Sequence, residues 1–321
     1  MSAPRVSVIV TSCNDAGTVD ECLASLEAQS GPPWEAILVD DGSTDGTTVF
    51  LRSVVRRDPR FRLVTYDRPH GGPSRARNAG LREASGRFAC FLDADDVLLE
   101  GVLARGVELL RMAPEASLVF FDWEERDADG RLLVASGQAR FRSLDRLGGR
   151  PLDGEAVLLP ADRFYPALLR GNCIRVSSTI ARRDMVLAVG GFDETLTNGD
   201  DYDLWLRLAC RFPVIRCRLP GFRYRRRPGS ISSSGESKMR NRVRVLERQW
   251  PEARRRGATA ILRRRIAAAR EALAWEERKA GNLAAARADY LRSLAAWPGP
   301  RALWGWISTW LPAHRSIRRR S

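Results

Sequence analysis

Hydrophobic residues in the first half of the chain fall into short continuous runs. The stretches between them carry an apolar residue every third or fourth position. That alternation predicts buried strands separated by amphipathic helices. VSVIVTS (Val6 to Ser12), AILVDD (Ala36 to Asp41), FRLVTY (Phe61 to Tyr66), RFACFLD (Arg87 to Asp93) and ASLVFFDW (Ala116 to Trp123) read as strands. Helices are expected over Thr18 to Gln29, Thr44 to Arg57 with Thr44 or Asp45 as cap, Ser74 to Glu83 and Glu100 to Ala113. Strands separated by helices imply parallel pairing through right-handed crossovers, hence an α/β domain.

From Asp127 to Pro166 the pattern weakens among glycines, arginines and prolines, which predicts an irregular insertion, a flexible loop near a functional site. The signal resumes in SSTIARRDMVLAVGGF, and Asp200 to Arg211 is strongly helical. From Lys238 onward almost everything reads as helix. Ala272 to Pro298 resembles a single tetratricopeptide-like hairpin, and one such unit makes no solenoid. The boundaries that follow are 1–235 for a catalytic domain and 236–321 for a basic α-helical extension.

The charge separates the same two parts. The chain has 321 residues and a net charge of +14. Residues 1–235 hold 32 basic and 32 acidic side chains, whereas residues 236–321 hold 21 basic and 7 acidic ones. That asymmetry points the tail toward an anionic surface. In ALWGWISTWL (Ala302 to Leu311) three tryptophans stand near Arg315 and Arg318 to Arg320, and two readings stay open. One is contact with an anionic membrane; the other is a helix packed on the body with solvated arginines. No recognisable nucleic-acid motif accompanies the arginines, so no nucleic-acid partner is expected. A non-enzymatic anion-binding protein remains the alternative outside catalysis.

No stretch approaches eighteen uncharged apolar residues, and VSVIV is too short for a signal-peptide core. Six cysteines without a CxxC pair suggest reduced thiols in a cytoplasmic protein. With only His70 and His314 present, a histidine-rich zinc site and a Ser/His/Asp triad are poor candidates.

Candidate chemistry lies in three acidic clusters, VDDGSTDGT (Val39 to Thr47), FLDADD (Phe91 to Asp96) and NGDDYDLWLRL (Asn198 to Leu208). The first two end predicted strands, where open α/β sheets bind ligands. Asp41 is either part of a capped turn or an acceptor for a nucleobase or ribose. Asp93 and Asp95 form a DxD whose carboxylates point the same way in an extended segment and suit Mn2+ or Mg2+, the alternative being a solvated acidic turn. Asp200 and Asp201 either complement a helix dipole or supply a general base, for which Asp201 is the choice. In HGGPSRARNAG (His70 to Gly80), Arg75 and Arg77 are either diphosphate contacts at a helix start or solvated helix residues. The segment has neither P-loop nor dinucleotide spacing.

In this order the segments resemble a family 2 glycosyltransferase of the GT-A fold, over roughly residues 4 to 235. The matching stretches are VSVIVTSCND, VDDGSTDGT, GPSRARNAG, FLDADD, GGFDE (Gly190 to Glu194) and the Asp200–Asp201 pair before WLRL. The resemblance implies a mostly parallel central sheet flanked by helices, with the α-helical extension following it. It implies that Thr11, Cys13, Asp41, Arg75, Arg77, Asn78 and Asp93 form the nucleotide-sugar site. Asp95 would hold the divalent cation with Asp93, and Asp201 would act as base beside Asp200. Arg227 stands where relatives often have histidine, which implies a diphosphate contact there and a less protein-coordinated cation. The implied partners are a nucleotide-sugar donor and a glycan or lipid-linked acceptor, in cell-surface polysaccharide or glycolipid synthesis, in the cytoplasm or peripherally on the inner membrane face. The rival enzyme, a sugar-phosphate nucleotidyltransferase, would want a glycine-rich loop with a basic residue after the first strand. TSCNDAGT offers neither convincingly.

Overall fold

A computed structural model describes residues 5–226 and 235–310. The chain divides into two compact units, split between Ile231 and Ser232. Arg227 lies outside the described residues.

The first unit is built on one sheet. Its strands are β1 (Val6–Ser12), β2 (Trp34–Asp40), β3 (Phe61–Thr65), β4 (Phe88–Asp93), β5 (Val97–Leu98) and β6 (Leu118–Arg126). They continue with β7 (Leu132–Val134), β8 (Arg150–Pro151), β9 (Ala156–Leu159), β10 (Thr179–Arg182) and β11 (Val214–Arg225). The order is β3-β2-β1-β4-β10-β6-β11-β9-β8, with β5 on β11 and β7 on β6. The helices are α1 (Val19–Glu27), α2 (Thr47–Arg57), α3 (Pro73–Glu83), α4 (Val102–Met112), α5 (Ala161–Arg170), α6 (Arg183–Ala188) and α7 (Asp200–Ala209).

β1, β2, β3 and β4 pair in parallel, as the β/α alternation requires. Covered on both faces, β1 is buried at all seven positions, which explains its unbroken apolar run. β6 does not continue this set. The four-residue β10 lies antiparallel between β4 and β6, so parallel pairing fails there. β10 follows β9 through α5, and because β9 runs antiparallel to β11 and β11 runs parallel to β6, β10 enters in the sense of β9, opposite to β6.

The stretch expected to be a loose insertion has defined structure. It contains β7, β8, β9 and a 3₁₀ segment, Gln138–Arg146. Buried polar groups of the sheet hold it. Asp122 accepts hydrogen bonds from Ser136 Oγ and the Gln138 amide, and Arg216 reaches Gln138 and Asp145. Helix α2 starts three residues later than expected, at Thr47, and the Asp45 carboxylate takes the Thr47 amide at 3.1 Å.

Because the chain runs from β1 to β2 and β3 on one side and to β4 on the other, the sheet switches direction between β1 and β4. Register places Thr11 beside Asp93 and Ser12 beside Asp40 at the carboxyl ends of these strands. Helix α3 lies tightly over this point. A Cβ on Gly80 would come 2.4 Å from the Ile9 side chain, so glycine there lets the helix approach β1.

The second unit is helical: α8 (Glu236–Glu247), α9 (Trp250–Arg255), α10 (Thr259–Lys279), α11 (Leu283–Ala296) and α12 (Pro300–Ser308). α10 and α11 form the anticipated hairpin, turning at Gly281 with φ 82°. Its small core contains Ala274, Ala286, Tyr290 and Ala302.

Candidate active site

The switch point gathers the acidic clusters around one arginine. Arg77 projects from α3 and is buried. Its Nη2 donates to Asp93 Oδ1 at 2.7 Å and its Nη1 to Asp200 Oδ2 at 2.7 Å. The guanidinium also lies 5.5 Å from the centre of the Phe192 ring. Burial opposes its charge, but Asp93 and then Asp200 outweigh that and hold Arg77 above even the usual arginine range. A cluster at the end of β4 and a cluster at the start of α7, 107 residues apart in sequence, are thereby fixed to each other.

Asp93 also accepts from Thr11 Oγ1 at 3.2 Å, and its amide donates to Ser177 Oγ. Carboxylate oxygens of Asp93, Asp95 and Asp96 lie within 4.8 Å of one another. Asp96 is buried. Its Oδ2 receives Ser177 Oγ at 2.6 Å, while its Oδ1 has no hydrogen-bond partner. Burial, followed by the charges of Asp95 and Asp93, drives its carboxyl well above the ordinary range. Three clustered oxygen donors, one of them orphaned in the interior, fit a hard divalent cation.

Asp201 stands next to the Arg77 bridge at the start of α7. Oδ1 takes the Tyr202 amide at 2.7 Å, and Oδ2 takes Asn172 Nδ2 at 3.1 Å. Burial and then the neighbouring Asp200 charge push its carboxyl up to about 6, against the pull of Arg77. Asp200 itself is buried. An aspartate with a pKa near 6 beside a fixed ion pair can accept a proton near neutral pH.

Asp40 and Asp41 diverge. Asp40 is consumed by its own turn, accepting from Ser43 Oγ at 2.5 Å and from Thr48. Asp41 faces His70, taking the His70 amide at 3.0 Å on one oxygen and meeting Nδ1 at 2.7 Å on the other. Cys13 is exposed, with Sγ 3.4 Å from the Asp41 carbonyl. Arg75 is also exposed, 5.3 Å above the Tyr66 ring, which packs edge-on against His70. Asn78 clamps the GGFDE turn instead of reaching the switch point: it donates to the Phe192 carbonyl and Glu194 and accepts the Phe192 amide.

Thr11, Arg77, Asp93, Asp200 and Asp201 are thus drawn together, with Asp95 in the acidic cluster beside them. Asp41 and Cys13 border them through the adjacent strand ends. Four partners were not singled out from the sequence: His70, Asp96, Asn172 and Ser177. Asp96 was signalled by its place in DADD and His70 by its place before the paired glycines. Nothing local marks Asn172 or Ser177, because their partners are distant in sequence.

Residues 7–146 match the family model described as glycosyl transferase family 2. The chain belongs to that family. Among its relatives, a succinoglycan biosynthesis protein, ExoO, of Rhizobium meliloti is 33% identical over 232 residues, covering 71% of this chain and 63% of the relative. The chain therefore spans less than two thirds of that protein. A second relative, the Escherichia coli enzyme named UDP-Glc:alpha-D-GlcNAc-diphosphoundecaprenol beta-1,3-glucosyltransferase WfgD, is 26% identical, covering 76% and 83%. Among solved structures, S. aureus TarS 1-349 in complex with UDP-GlcNAc aligns with a TM-score of 0.64 at 18% identity. It covers 95% of this chain and 90% of that one. The fold is that of the GT-A glycosyltransferases. Within the family 2 frame, the DxD strand end and the Asp200–Asp201 helix start are the elements that Arg77 joins.

Proposed function

We propose that the protein is an inverting glycosyltransferase that moves a sugar from a nucleoside-diphosphate donor to a hydroxyl of a glycan or lipid-linked acceptor. The work would be done in the cytoplasm, at the inner face of the membrane, in surface polysaccharide or glycolipid synthesis. The observation that carries this reading is the Arg77 bridge, which keeps the DxD end of β4 in register with a half-buried Asp201 whose pKa is near 6. The relatives' names, a succinoglycan biosynthesis protein and a glucosyltransferase acting on a diphosphoundecaprenol acceptor, support the substrate class.

In this mechanism Thr11 and Asp41 orient the nucleoside, with His70 fixing the Asp41 carboxylate. Asp95 and Asp93 would hold a divalent cation, Mn2+ or Mg2+, with Asp96 beside them. A cation bound there would supply Lewis-acid stabilisation of negative charge on the diphosphate. Asp201 takes the proton from the acceptor hydroxyl as that oxygen forms its bond to the anomeric carbon and the bond to the diphosphate oxygen breaks. Asn172 and the Tyr202 amide hold the Asp201 carboxylate in place, and Asp200 keeps Arg77 charged and fixed. Arg75, exposed at the start of α3, is left for the diphosphate.

The test is turnover by Asp201→Asn. General-base removal should lower it by about 10²- to 10⁴-fold while nucleoside diphosphate still binds. Near-normal turnover would remove the base assignment. Pyrophosphate release from a nucleoside triphosphate and sugar phosphate, without sugar transfer from any donor, would replace the reading with a nucleotidyltransferase.

A further inference from the structure

Helix α12 is inverted relative to a helix that packs into a globular core. Apart from Trp306, which is partly buried against the unit's core, the residues it turns into its own unit are small or polar. Ala302 and Thr309 are 2% exposed, with Gly305 and Ser308 also buried. Gly305 lies so near Tyr290 that a Cβ would fall 2.3 Å from the ring. Ser308 and Thr309 are held by polar contacts. Arg278 Nη1 donates to Ser308 Oγ at 2.5 Å, and Arg287 donates to Thr309 Oγ1 at 3.1 Å and to its carbonyl at 2.8 Å. The outward side carries Leu303 at 48% exposure, Trp304 at 64%, Ile307 at 38% and Trp310 at 60%. Leu303, Trp304 and Ile307, at i, i+1 and i+4, form one stripe on the helix, and Trp310 follows two residues past its end. A helix in a globular unit ordinarily buries such a stripe, so its exposure marks an interaction surface.

Charge identifies what it meets. Residues 236–321 hold 21 basic and 7 acidic side chains. Arg287 stacks 3.5 Å from the centre of the Trp310 ring, and exposed Arg301 stands at the other end of the helix. In sequence, Arg315 and Arg318 to Arg320 follow. Tryptophans flanked by arginines suit the boundary between acyl chains and anionic headgroups. The helix is nine residues long, too short to cross a bilayer, so its stripe would lie in the plane of the interface.

We infer that the outward face of α12 docks the protein on an anionic lipid bilayer. This goes beyond the proposed reaction and does not depend on it, since lipid binding involves no turnover and can fail or succeed separately.

The experiment is co-sedimentation of the full chain with vesicles. One set is phosphatidylcholine with roughly one-third phosphatidylglycerol, a physiological level of anionic lipid; the other is phosphatidylcholine alone. The protein should partition onto the anionic vesicles, weakly onto the neutral ones, and less as salt rises. Ile307→Glu and the double variant Trp304→Ser/Trp310→Ser should each lower partitioning by at least about tenfold. Ile307→Glu should keep the wild-type melting temperature, because its side chain faces solvent, whereas the double variant also loses the Arg287 stacking on Trp310 and should melt slightly lower. Unchanged partitioning in both variants, or no binding of the unaltered protein to anionic vesicles, would overturn the inference. So would a dimer that Ile307→Glu dissociates with no change in vesicle binding, which would assign the face to a second copy of the chain.

Discussion

At the residue scale Asp201 carries opposed demands. As a base it must be ionised, so turnover should fall about tenfold per pH unit below its pKa of about 6, in a pH–rate profile taken at saturating donor. The same elevation has a consequence for stability. A carboxyl whose pKa rises from 3.8 to about 6 on folding favours its protonated form in the fold. Its contribution is therefore fully present below about pH 4 and is lost as pH rises through 6. At pH 8 the ionised Asp201, beside the Asp200 charge, strains the fold it serves. Discounted for the partial exposure of Asp201 to roughly 1 kcal/mol, this predicts that Asp201→Asn melts about 2–4 °C above the unaltered protein at pH 8, and that the two converge near pH 4. A lower melting point for the variant at pH 8 would show that the Asp201 charge stabilises the fold, contrary to this assignment.

At the scale of elements, Glu125 closes the end of β6. It is wholly buried and ties three segments: Arg140 of the insertion at 2.6 Å, Arg226 after β11, and the indole of Trp123 at 3.2 Å. Burial alone would raise its carboxyl, but hydrogen bonds from Arg140, Trp123 and Arg226 pull it down to about 2. A depressed carboxyl stabilises the fold above its unfolded value and loses that contribution as pH falls from about 4.5 to 2. Glu125→Gln should cost about 2–3 kcal/mol at pH 7, discounted for the half-exposed arginines, and flatten the acid limb of the stability curve. Urea unfolding at pH 7 and pH 3 reads both, and an unchanged acid limb would dismiss the pairing. This ordered insertion also marks the limit of what the sequence discloses. β1 to β4 and their helices are legible because each is a local pattern, an apolar run or a helical stripe. The insertion is held by Asp122, Glu125 and Arg216, whose partners lie far along the chain, so glycine, arginine and proline content reads as a loop. β10 escapes notice because four residues carry no period. The acidic clusters are visible as strand and helix ends, yet nothing in RAR announces that Arg77 reaches both Asp93 and Asp200, 16 and 123 residues away.

For the whole molecule, ligand binding should register as global stability. The first 235 residues balance their charges, so local carboxylate repulsion at Asp93, Asp95 and Asp96 is relieved locally or not at all. Ser177 and Arg77 each steady one of these carboxylates from the protein side, which leaves a cation to act mainly together with a diphosphate. Mn2+ alone should therefore shift melting little. A matching nucleoside diphosphate with Mn2+ should shift it much more. At a hundredfold excess over its dissociation constant the gain is about 2.7 kcal/mol, or about 5–10 °C for a unit of this size. Chelation with EDTA should reduce that shift to what the nucleoside contributes through Thr11 and Asp41. Asp95→Asn should show the reduced shift whether or not Mn2+ is present, because it removes the cation-dependent part and leaves the nucleoside contacts intact. Comparing UDP with GDP in the same scan identifies the donor base. If neither diphosphate raises the melting point in Mn2+, the donor assignment fails; if Asp95→Asn keeps the full Mn2+-dependent increment, the cation sits elsewhere.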